Sequence, residues 1–147
     1  MKNLVLIPPE ELVKVTGLLE EYVKPAMESG NGETSYHSIV GKGLIGTVHF
    51  WACMDDGKLM GITTTEFIQY EGYKTLHGIT VGLKDGSGFE DWHYGLEDIA
   101  REHGCRNVQF WGRLGWSRAI KKVVGKNQEK YKEIYRVFSM ELDNESI

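Results

Sequence analysis

The stretch from Thr75 to Trp116 constrains this chain more than any other. Thr75-Leu-His-Gly-Ile-Thr-Val81 reads as a strand, and Gly82 to Gly88 follows as a loop holding three glycines. Phe89, Trp92, Leu96, Ile99, Ala100 and His103 then recur at helical spacing. Gly104 stops that helix, and Asn107-Val-Gln-Phe-Trp111 resumes strand character. A strand that feeds backbone N–H groups into a helix N-terminus is a ready site for an anion.

The residues before this unit read as a meander. Leu4-Val-Leu-Ile7 is a short apolar run of strand length, ended by Pro8-Pro9. Pro9-Glu10-Glu11 opens a helix whose stripe is Leu12, Val15, Leu18, Leu19, Tyr22 and Val23. Pro25 interrupts it. Ser35 to Val40 reads as a short helix ended by Gly41 and Gly43. Val48 to Met54 and Leu59 to Gln69 are β-prone runs joined by Asp-Asp-Gly-Lys, a hairpin signal. Thr75 to Val81 completes a three-stranded antiparallel meander. After Trp111, Trp116 to Val124 reads as a short helix and Tyr135 to Leu142 as a closing strand. The fold class is α+β, or mixed α/β: one domain over 1–147, a mixed central sheet with an antiparallel meander, and helices on both faces.

Composition narrows the function. The 147 residues, 41% hydrophobic and 11% aromatic, suffice for one cored domain. The chain shows no run of 18 apolar residues and no signal-peptide pattern, so a cytoplasmic protein without a membrane partner is expected. Cys53 and Cys105 lie far apart, outside any Cys/His ligand cluster, and read as small buried hydrophobes. The net charge of −4 is uneven. Arg113 to Arg136 holds eight basic residues against Glu129 and Glu133, a net +6 that leaves −10 on the rest. An acidic chain argues against sequence-independent nucleic-acid binding, while the basic segment can hold phosphate or an acidic partner. No metal-ligand cluster stands out.

This order of elements resembles the GNAT superfamily of acetyl-CoA-dependent N-acetyltransferases. The likeness spans about Leu4 to Leu142 and is closest over Asp55 to Trp111. There, "DDGKLMGITTTEF" is similar to the family's hairpin and "LEDIAREHGCRNVQFW" to its central helix and exit strand. The resemblance implies an acyltransferase that moves the acetyl group of acetyl-CoA to an amine of a small molecule or protein. It places Ile79, Thr80 and Val81 against the pantetheine arm and Lys84, Gly86, Ser87 and Gly88 around the pyrophosphate. Two family features are absent. The loop's Arg or Gln place falls on Leu83, and the segment Gly112 to Gly125 has no tyrosine to protonate the departing thiolate, Ser117 being its only hydroxyl.

Glu66, on the third strand, and His77, on the fourth, are the candidate proton acceptors, with Ser117 as a candidate proton donor. Tyr70 and Tyr73 are near enough in sequence to reach the site, with turn placement as the plainer reading. The segment Gly-Arg-Leu-Gly-Trp116, followed by basic residues, also resembles small GNAT-like proteins of tailed phages. A second class of function follows: a non-catalytic binding or structural module, such as a virion component. It would meet a protein partner through Arg113, Trp116 and Arg118, or a second copy of itself, because Trp and Arg dominate interaction surfaces.

Overall fold

The computed structural model describes residues 1–28, 34–85, 87–110 and 139–142. Five strands lie in the order β1-β2-β3-β4-β5. They are β1 (Lys2–Ile7), β2 (His49–Asp55), β3 (Lys58–Gln69), β4 (Lys74–Leu83) and β5 (Asn107–Phe110). The first four are antiparallel neighbours, and β5 runs parallel to β4. The β2–β3 hairpin closes through Asp56 and Gly57, both at positive φ (48° and 82°), as a two-residue turn between right-twisted strands requires.

Before β2 the chain is helical. A 3-10 segment (Pro9–Val15) leads into α1 (Thr16–Tyr22), and Pro25 falls in the first turn of α2 (Lys24–Glu28). The single helix expected from Pro9 to Val23 is therefore split in two, although Leu12, Leu19, Tyr22 and Val23 of its stripe are buried as read. Next comes α3 (Tyr36–Leu44), whose N-terminus is capped by the Ser35 hydroxyl accepting from Ser38 N–H at 3.1 Å. It runs past Gly41 and Gly43, where the sequence suggested a stop. The reason is tertiary. A side chain at Gly43 would collide with the Phe50 ring and with Leu12, so the glycine permits close approach.

The two faces of the sheet carry separate cores. Leu12, Leu19, Val23, Ile39, Phe50 and Ile62 fill the face under α1 and α3. Leu76, Phe89, Leu96, Ile99 and Ala100 fill the other, under α4 (His93–Glu102). Each of these side chains larger than alanine contributes roughly 1.5–3 kcal/mol by leaving water. The α4 stripe matches the sequence reading, but a 3-10 turn (Phe89–Asp91) precedes the helix instead of forming its first turn. Gly104, at φ 70°, ends it as expected. Cys53 is buried, and desolvation pushes its thiol up to about 12, which leaves it inert.

Ser139–Leu142 is described and is not strand, with Met140 and Leu142 exposed. The rest of the expected closing strand, the helix at 116–124, and Trp111 lie outside the described residues. Among the described residues no helix is long and apolar enough to cross a membrane.

Candidate functional site

The site centres on an irregularity in β4. Thr64 pairs with Thr80 and Thr65 with Gly78, so Ile79 is an extra residue without a partner on β3. Such a bulge resets which way side chains point. Leu76, before it, packs into the α4-side core; Ile79 packs against the opposite core; Val81 packs on the α4 side again. The parallel pairing of β4 with β5 runs from Thr75–Asn107 to Gly78–Phe110 and so reaches the residue before the bulge. Beyond it, Ile79, Thr80 and Val81 have no β5 partner among the described residues. Alternate N–H and C=O groups of a strand face opposite neighbours, so half of the backbone groups in this part of β4 point away from β3.

Glu66 and His77, chosen separately from the sequence, are cross-strand partners. His77 Nδ1 lies 3.1 Å from Glu66 Oε1. An ionised carboxylate only accepts hydrogen bonds, so Nδ1 carries the proton and donates, which makes Nε2 the basic nitrogen. His77 is 5% exposed. Burial holds its imidazole below the usual histidine range, and the contact with Glu66 works against that shift without cancelling it. The ring is thus neutral near pH 7 and able to accept a proton.

The strand rung continues into β5. His77 pairs in register with Gln109, so Glu66, His77 and Gln109 form one polar row across three strands. Gln109 Nε2 donates to the Tyr73 hydroxyl at 3.2 Å, and the Arg106 guanidinium lies over the Tyr73 ring at 3.9 Å. One pleat further, the Thr64 and Thr80 hydroxyls meet at 2.7 Å and Thr63 Oγ1 donates to the Thr80 carbonyl at 2.7 Å. Sequence reasoning missed Gln109 because a lone glutamine in a short strand carries no signal. It also left Tyr73 as a turn residue. Its contact with Gln109 joins positions 36 apart.

Thr64→Val tests the hydroxyl pair that braces the bulge. The side chains are nearly the same size, but Thr80 Oγ1 would lose its partner in a fully buried setting. The expected loss is about 1–2 kcal/mol in urea unfolding. An unchanged midpoint would show that the pair adds nothing to the bulge.

Lys84, Ser87 and Gly88 follow β4, with Gly86 outside the described residues. Lys84 is exposed, and its N–H donates to the Met60 carbonyl at 2.7 Å. Ser87 N–H donates to the Lys84 carbonyl at 3.0 Å, which closes a turn and uses one amide that the resemblance assigns to pyrophosphate. Ser87 Oγ accepts from the Trp92 indole at 3.3 Å. The Glu90 carboxylate folds back over Gly88, where a side chain on that glycine would stand. Ser117, Arg113, Trp116 and Arg118 lie outside the described residues.

No family model matches the chain, and a search of curated proteins finds no match. Solved structures do match over nearly its whole length. An aminoglycoside acetyltransferase from an uncultured soil metagenomic sample, in complex with sisomicin, is 9% identical at a TM-score of 0.64, covering 95% of this chain and 97% of the other. The ribosomal-protein-alanine N-acetyltransferase of Brucella melitensis biovar Abortus 2308 is 11% identical at 0.66, covering 97% and 100%. Aminoglycoside N-acetyltransferase AAC(6')-Iy, in complex with CoA, is 12% identical at 0.63, covering 97% and 95%. What this chain shares with these acetyltransferases is the fold, the one expected from the GNAT resemblance.

Proposed function

We propose that this chain transfers the acetyl group of acetyl-CoA to an amine. The observation that carries this reading is the convergence at β4. The partly buried Glu66–His77 pair, the last described β5 pairing and a bulge beyond which β4 has no β5 partner among the described residues fall within Gly78 and its neighbours on the strand. His77 Nε2 takes the proton released as the amine nitrogen attacks, and Glu66 steadies the resulting imidazolium. Acetyl-CoA supplies an activated acyl group with a thiolate leaving group. Ile79 to Val81 lie along its pantetheine arm, and Lys84, Ser87 and Gly88 hold its phosphates, with Gly86 between them in sequence. Two structural neighbours are named as N-acetyltransferases, one for aminoglycosides and one for ribosomal-protein alanine, which supports an amine without choosing one.

A second reading is favoured by the loop. With the Glu90 carboxylate over Gly88 and the Ser87 amide used in a turn, the loop completes itself. The chain would then be a non-catalytic module, such as a phage virion component, binding a protein through Arg113, Trp116 and Arg118.

Calorimetric titration with acetyl-CoA and with CoA decides between them. Micromolar binding supports the acetyltransferase, and no heat at millimolar ligand rejects it. Glu90→Gln sharpens the result. Removing this charge from the loop should tighten acetyl-CoA binding roughly two- to fivefold, the size of a charge effect at a helix start. A weaker or unchanged affinity would show that the phosphates lie elsewhere.

A further inference from the structure

Gln109 is 8% exposed, and its side-chain oxygen Oε1 is buried with no hydrogen-bond partner among the described residues. Buried acceptors are nearly always satisfied, so an orphan calls for a reason. Flipping the amide does not remove the deficit. The Tyr73 hydroxyl can donate as well as accept, so it would bond Oε1 equally well, but both N–H donors of the amide would then be stranded. In the orientation found, Nε2 donates to the Tyr73 hydroxyl and Oε1 is the acceptor left over.

The position of this acceptor gives the reason. Gln109 shares a rung with His77, whose Nδ1 is turned toward Glu66 on the far strand. The basic nitrogen and the orphan oxygen therefore belong to adjacent side chains on the same face of the sheet. Its neighbours on that rung, Glu66 and His77, both suit a donor-rich, cationic guest.

We propose that Gln109 is a specificity-determining residue of the acceptor site, and that its side-chain oxygen accepts an N–H from a primary ammonium or amine. This rests on the acetyltransferase reading for its biological meaning, but not for its binding chemistry. A primary ammonium brings three donors. One satisfies Gln109 Oε1 while another is handed toward His77, which aligns the nitrogen for deprotonation. A quaternary ammonium of similar size and charge brings no donor and leaves the oxygen orphaned.

The test uses n-butylammonium and butyltrimethylammonium chloride as probes, titrated against the labelled full chain at fixed ionic strength. Nuclear magnetic resonance follows the Gln109 side-chain amide and the His77 ring. The expected result is saturable shifts of both groups with n-butylammonium, and binding at least about tenfold weaker for butyltrimethylammonium. Gln109→Met should abolish that discrimination; because it also gives up the hydrogen bond from Nε2 to Tyr73, a modest fall in melting temperature is expected alongside. Gln109→Glu, which restores an acceptor at the same reach, should recover it and keeps the test available if the Met variant does not fold. Equal shifts with both cations, no shift with either, or discrimination that survives in Gln109→Met would each overturn the proposal. Calorimetry with acetyl-CoA on the same samples separates the two ideas. Absent cofactor binding with intact N–H discrimination removes the acetyltransferase reading and leaves an amine-binding site at Gln109.

Discussion

His77→Ala is expected to lower the rate of acetyl transfer by about 10²–10⁴-fold, the usual worth of a positioned general base. Glu66→Gln should cost less, roughly tenfold. The amide oxygen can still accept from Nδ1–H at 3.1 Å and keep the tautomer, but it no longer balances the imidazolium charge. Steady-state kinetics with a reporter for free thiol reads both. A His77→Ala enzyme that folds normally and keeps its full rate would reduce the histidine to a structural group.

The same variant carries a pH signature. Burial depresses the His77 imidazole in the folded state, whereas in the unfolded chain it titrates near its ordinary value of about 6.5. On acidification the unfolded state takes up the proton first. The stability contributed by the neutral ring is therefore complete above about pH 6.5 and is lost as pH falls from there through the folded value. The rate should fall over the lower part of that window, as the base becomes protonated. Urea midpoints and kcat/KM measured between about pH 5 and 8 should both show this acid limb in the parent protein. Neither should show the His77 share of it in His77→Ala.

Gly82→Val is expected to be the most damaging single substitution in β4. A Cβ at this position would stand against the backbone carbonyl of Tyr22. Backbone cannot swing aside as a flexible side chain can, so α1 and the sheet would have to separate. Overpacking of this kind costs about 3 kcal/mol, equivalent to a fall of roughly 6–12 °C in Tm for a chain of this size. Calorimetric melting measures it. Gly72→Val is the control, because that glycine has open space around it. A Gly82→Val protein that melts within a degree or two of the parent would mean that the close approach is not maintained in solution.

These two substitutions show how much of the protein can be read from residues alone. The meander, its Asp56-Gly57 hairpin and the helix that ends at Gly104 follow from local rules: strand and helix periods, and glycine where φ must be positive. Glu66 and His77 stand out individually because a carboxylate and a histidine on neighbouring strands are the groups that move protons near neutrality. Their pairing does not stand out. It depends on the register that the turn between Gln69 and Lys74 imposes, which strand period alone does not give, and no sequence period marks the bulge at Ile79 that follows.

Other failures share that cause. Gly41 and Gly43 look like a helix stop, yet α3 continues to Leu44 because Phe50, brought in by β2, requires a glycine beside it. Phe89 fits the stripe of α4 but sits in the preceding 3-10 turn, where its ring packs edge-on to Phe110. Gln109 and Tyr73 become a site only once β4 and β5 lie side by side.

The sequence by itself determined the kinds of element, their order, the apolar stripes and the residues with proton-transfer chemistry, because each is set by contacts within a few positions of the chain. Tertiary structure alone decided the β4 bulge, the Glu66–His77–Gln109 row and the approach of α1 to Gly82. Register, close packing and the matching of buried polar groups depend on residues distant in sequence, and their energies exist only after the strands have met.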